Sequence, residues 1–136
     1  MREFHMLERV LKDEQTGILT ISEGKESPMA AHLACRREGG YLALSVSVGP
    51  IEIGMRLRVD DVRRVLSKVQ PVPGLQTTRQ VGSGQAFLGL GLRTDGYLVL
   101  RPTLVADATG HMCLNLCLPD AVRDELYQWL KVEPAR

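Results

Sequence analysis

Residues 51–59 alternate without a break. Ile51, Ile53, Met55, Leu57 and Val59 are apolar, and Glu52, Gly54, Arg56 and Arg58 stand between them. A period of two puts the apolar side chains on one side of an extended strand and leaves the other side to water. A helix would scatter the same residues around its axis. Strands covered on one face belong typically to antiparallel sheets, so an all-helical fold is excluded.

The same period recurs along the chain. Leu42, Leu44, Val46 and Val48 alternate with Tyr41, Ala43, Ser45 and Ser47. Pro28 opens a strand whose apolar side is Met29, Ala31, Leu33 and Cys35, and residues 18–21 form a shorter one. Ala86, Leu88, Leu90 and Leu92 continue the pattern, followed by a hairpin turn at Thr94-Asp95-Gly96 and a strand over 97–105. Residues 111–118 put Met112, Leu114, Leu116 and Leu118 on one face. Three segments carry helical spacing instead. Phe4, Leu7 and Leu11 predict a short amphipathic helix over 3–14, closed by Gly17. Asp60-Asp61 reads as an N-cap for a helix with the stripe Val62, Val65, Leu66 and Val69. Pro119-Asp120 starts a last helix that buries Val122, Leu126, Trp129 and Leu130.

Two stretches share a pattern. Gly40-Tyr41-Leu42-Ala43-Leu44 leads through Met55-Arg56-Leu57-Arg58-Val59 to Asp60-Asp61-Val62-Arg63. Gly96-Tyr97-Leu98-Val99-Leu100 leads through Leu114-Asn115-Leu116-Cys117-Leu118 to Asp120-Ala121-Val122-Arg123. An internal repeat of this kind decides the fold. The expected architecture is one α+β domain over residues 1–136. It contains two ββββα repeats, at about 17–70 and 85–131, joined by a linker over about 71–84 and preceded by the N-terminal helix. The repeats form packed antiparallel sheets with helices on one side. That order of elements resembles the Whirly and Pur families of single-stranded nucleic-acid binders. The resemblance covers nearly the whole chain and implies noncatalytic binding of single-stranded DNA or RNA on a sheet face. The lysine-glycine-lysine strand signature of Whirly proteins is absent.

Alternation also names the outward residues. They are His32, Arg36, Tyr41, Ser45, Ser47, Arg56 and Arg58 in the first half, and Phe87, Gly89, Gly91, Arg93, Tyr97, Arg101, Thr103, His111 and Asn115 in the second. The chain has a net charge of only +1, but residues 29–118 hold 10 basic and 6 acidic side chains. Arginines suit phosphates, flat rings stack on unpaired bases, and glycines permit close backbone approach. Arg36, Tyr41, Arg56, Arg58, Arg93, Tyr97 and Arg101 are therefore the candidate nucleic-acid-binding residues. The apolar helix stripes and Trp129 point to self-association as a homo-oligomer, and an interaction or scaffold domain is the alternative function.

Other chemistry is weakly supported. The three histidines sit in no recognisable nucleophile–base pattern, so no catalytic residue is named. His32-x-x-Cys35 and His111-x-Cys113-x-x-x-Cys117 are too spread for a tight tetrahedral metal site. Gly82-x-Gly84 lacks the lysine and the following helix of a phosphate loop. Residues 17–42, a strand, a turn and a proline-started strand, are similar to the start of flavin-binding split barrels of the pyridoxamine-oxidase type. That similarity would put Arg63-Arg64 near a phosphate; otherwise no cofactor is expected. Three cysteines do not make a disulfide framework, no apolar run reaches the ~18–20 residues of a membrane helix, and the N-terminus has no apolar leader. A cytoplasmic setting is the expectation.

Overall fold

The computed structural model describes residues 4–133. In chain order the strands begin with β1 (Phe4–Met6), β2 (Arg9–Lys12), β3 (Leu19–Ser22), β4 (Ala31–Glu38), β5 (Tyr41–Val48) and β6 (Ile51–Arg58). Helix α1 (Val59–Lys68) follows. Then come β7 (Pro71–Val72), β8 (Arg79–Gly82), β9 (Ala86–Arg93), β10 (Leu98–Asp107), β11 (Gly110–Cys113), β12 (Asn115–Leu118) and α2 (Asp120–Leu130). Two sheets result. One is an antiparallel meander in the order β2-β3-β4-β5-β6. The other runs β1-β12-β10-β9-β7, with β11 also on β10 and β8 also on β9.

Alternation decides the packing. Leu42, Leu44, Val46 and Val48 of β5 and Ile53, Met55 and Leu57 of β6 are buried, while the residues between them reach outward. They join Leu88, Leu90, Leu98, Leu100, Leu116 and Leu118 of the second sheet in one core, with Val62, Leu66, Leu126 and Leu130 of the helices. Each fully buried aliphatic side chain contributes roughly 1.5–3 kcal/mol.

The N-terminal helix expected over residues 3–14 is not formed; residue 3 lies outside the described range. Phe4–Met6 and Arg9–Lys12 are edge strands, each in a different sheet. The helical spacing misled because only one of its apolar residues is in the core: Leu7 is 0% exposed and Leu11 is 66% exposed. The chain changes sheets at this point. Leu7 N–H donates to the Cys117 carbonyl in one sheet (2.9 Å), and Glu8 N–H donates to the Ser22 carbonyl in the other (3.0 Å). His5 and Glu23 pair across the same junction, with Nδ1 and Oε1 2.6 Å apart.

Further details depart from the sequence pattern. Asp60 and Asp61 do not cap α1; they lie in its first turn and pair with Arg63 and Arg64 three residues on. Residues 27–30 turn before β4 starts at Ala31, which leaves Met29 exposed. The supposed linker contains β7 and β8. The strand expected over 111–118 breaks at Leu114, and Met112 before the break is exposed. Of the helix stripes, Val62, Val69, Val122 and Leu126 are buried within one chain, and Val65 and Trp129 are half-buried.

Glu23 ties the junction to pH. Burial works against its charge, but hydrogen bonds from the Ala31 N–H and from His5, with the nearby charges of His5 and Lys25, outweigh that and hold its carboxyl below the usual value. A lowered carboxyl pKa contributes stability above the ordinary carboxylate range, and that stability is lost as pH falls through the lowered value. Glu23→Gln should therefore cost about 1–2 kcal/mol at neutral pH. In urea titrations at several pH values, its deficit should shrink toward acid.

Candidate functional site

The outward side of the five-stranded sheet is built in rows. Cross-strand pairing sets Arg36, Ala43 and Arg56 in one row, Ala34, Ser45 and Gly54 in the next, and His32, Ser47 and Glu52 in a third. Glu38, Tyr41 and Arg58 make the row at the other end. Small residues form the middle of this face, so it is hollow. The hollow has a volume of about 500 Å³, and Arg36, Glu38 and Arg56 stand on its rim.

Its polar groups are only partly engaged. Arg56 lies with its guanidinium carbon 4.9 Å from the centre of the Tyr41 ring, in cation–π range. Ser45 Oγ donates to Glu52 Oε1 at 2.8 Å. Among the described residues, no carboxylate lies within ion-pair distance of Arg36, Arg56 or Arg58. Cys35 is adjacent to the floor, but its thiol belongs to the core, and burial pushes it up to about 12. It stays protonated at neutral pH and is a poor nucleophile.

The second sheet presents no matching face. Residues 75–77 lie across it. Arg101 holds them there: Nε donates to Asn115 Oδ1 (2.6 Å), one terminal nitrogen to Thr77 Oγ1 (3.2 Å) and the other to the Leu75 carbonyl (3.4 Å). Asn115 and Thr103 are buried, and Arg101 itself is half-buried. Gly89 and Gly91 are buried beneath the same segment, and a side chain at Gly91 would collide with the Gln76 carbonyl. Arg93 is held by Asp95 at 2.8 Å and lies over the Tyr97 ring at 5.2 Å.

The seven candidate residues therefore fall into two sets. Arg36, Tyr41, Arg56 and Arg58 share one open face. Arg93, Tyr97 and Arg101 belong to the other sheet, where Arg101 fastens the chain's own connection and is not an open outward cation. Alternation placed all five arginines outward, but it carried no information about what would lie on top. It also left out Glu38, whose even position at the end of β4 sets an acid on the same rim. Arg63, the other basic residue singled out, donates to the Leu130 carbonyl at 2.6 Å and satisfies the end of α2. Among the described residues no cluster of histidine, cysteine or carboxylate side chains could hold a metal ion, and no helix is long and apolar enough to cross a membrane.

Compared with known proteins, the chain matches no family model, no curated protein and no solved structure. The functional reading rests on the face itself.

Arg101→Ala would strand the buried Asn115 oxygen and release residues 75–77. The expected cost is about 1–3 kcal/mol. Hydrogen exchange at Thr78, whose N–H donates to Leu90 at 2.8 Å, should accelerate. Unchanged exchange there would mean that the connection is held by other interactions.

Proposed function

We propose that the hollow outer face of the five-stranded sheet binds single-stranded DNA or RNA without catalysis. One observation carries this reading: among the described residues, Arg36, Arg56 and Arg58 stand without carboxylate partners around a floor of small residues, next to an exposed tyrosine. Guanidinium groups without a carboxylate partner favour an anion because no ion pair must be broken to receive it. Phosphates of a single strand supply such anions at regular spacing. The small floor admits a flat base close to the backbone, and the Arg56–Tyr41 stack offers a planar surface that a base can extend.

The finer reading of the fold supports the same proposal. The chain reads as two ββββα units, β3 to β6 with α1, and β8, β9, β10 and the broken strand β11–β12 with α2, the second unit taking β8 from the expected linker. Support comes from the chain order and from the antiparallel neighbours in each half. The copies differ in detail, since Leu42 faces Leu57 whereas the equivalent Leu98 faces Leu118, two positions beyond the matching residue. One copy keeps its outer face open and the other covers it.

Fluorescence anisotropy with single-stranded and duplex oligonucleotides tests the proposal. Binding should favour the single strand and weaken with salt. Arg36→Ala with Arg58→Ala should flatten the salt dependence by a slope of about 0.7 for each phosphate no longer neutralised. Tyr41→Ala should cost about 1–3 kcal/mol if a base stacks there. Neither change touches the core. Absence of single-strand binding by the native chain at low salt would remove the function.

A further inference from the structure

The far side of β6 is an unpaired sheet edge, which β8 approaches without bonding to it. Among the described residues no strand pairs with it. Its eight residues pair with β5 without a bulge, contain no proline and point no charge into the core. Bulges, prolines and inward charges are the devices by which monomeric sheets discourage edge-to-edge pairing. The charges of β6, Glu52, Arg56 and Arg58, all lie on the outer face, and being of opposite sign they can match those of another strand laid along this edge.

The hydrogen-bond phase shows which groups are on offer. Val59 N–H donates to the Gly40 carbonyl at 3.0 Å, and the ladder sets Tyr41 opposite Arg58. Bonded and non-bonded pairs alternate in an antiparallel ladder. Ile51, Ile53, Met55 and Leu57 therefore spend their backbone groups on β5. Glu52, Gly54 and Arg56 aim their N–H and C=O groups at the open side.

We infer that β6 pairs antiparallel with β6 of a second copy of this chain, about a two-fold axis at Gly54. This register sets Gly54 against Gly54, Glu52 against Arg56 and Arg56 against Glu52. The three pairs are then the bonded ones, so every outward backbone group of these residues finds a partner. Charges on the outer face alternate in sign across the junction, and like charges are never opposed. Ile51, which is 43% exposed in one chain, comes to lie opposite Leu57 of the second copy. Registers shifted one way bring Glu52 opposite Gly54 and lose the charge match. A shift the other way draws on Arg58, which passes straight into α1. The assembly is a continuous sheet of two five-stranded halves, and the two hollow faces adjoin on one side. This inference stands apart from nucleic-acid binding and is read without oligonucleotide.

Sedimentation of the full chain at tens of micromolar tests it. The native chain should sediment as a dimer. Gly54→Pro removes the central outward N–H and no bond to β5, and nothing lies within 4 Å of a Cβ at Gly54, so the monomer fold should persist by circular dichroism while the dimer is lost. Glu52→Arg alone opposes arginines to arginines, and Arg56→Glu alone opposes glutamates to glutamates. Each should weaken dimerisation about tenfold or more. An equimolar mixture of these two variants restores both opposite pairs and should form a heterodimer. A monomeric native chain would overturn the inference. So would dimers indifferent to Gly54→Pro, or a mixture that associates no better than its components.

Discussion

Each sheet has one apolar face, and water penalises that face until something covers it. Most of the core follows from the two sheets covering each other. Alternation along β5, β6, β9 and β10 supplies the apolar sides, and α1 and α2 add Val62, Leu66, Leu126 and Leu130 to the same cluster. The junction at Leu7 and Glu8 makes this arrangement specific. Two successive N–H groups bond to different sheets, so the apolar side chain between them is fixed where the sheets meet. Moving the register by one residue would turn Leu7 to solvent and break both bonds.

Once the inner faces are committed to each other, the outer faces are the surfaces left for function. They are treated differently. In one half, small residues leave a hollow whose rim arginines have no acidic partner among the described residues. In the other, a segment of the chain occupies the corresponding place and is fastened by Arg101. The fork of the guanidinium explains the choice of residue there, because acceptors on β12 and on the 75–77 segment are met by one rigid group.

Much of this was legible from residue order. The strands between residues 31 and 58 and the α+β class follow from period two, and so do Arg36, Tyr41, Arg56 and Arg58 on one outward face. Helix α1 followed from its apolar stripe, although its acidic pair proved to belong to the first turn and not to the cap. The N-terminal segment was not legible. Phe4, Leu7 and Leu11 satisfy a helical period, but strands of three and four residues are too short to display a period of their own, and their pairing depends on distant partners. The covering of the second sheet was legible only in outline. Gly89 and Gly91 signalled that a backbone comes close. That the backbone is the chain's own, at Gln76 and Thr77, depends on a connection with no periodic signal.

The parallel pairing of β1 with β12 has a consequence for the order of folding. Phe4, His5 and Met6 lie beside Asn115, Leu116 and Cys117, so β1 waits for a strand that leaves the ribosome more than a hundred residues later. The five-stranded meander needs no residue beyond 58 for its strand pairing and can zip locally as it emerges. The other sheet cannot complete its edge until more than a hundred residues have followed β1, and pairings of such separation form slowly. During that interval Leu7 has one half of its final surroundings, and its apolar side chain lacks the cover of the second sheet.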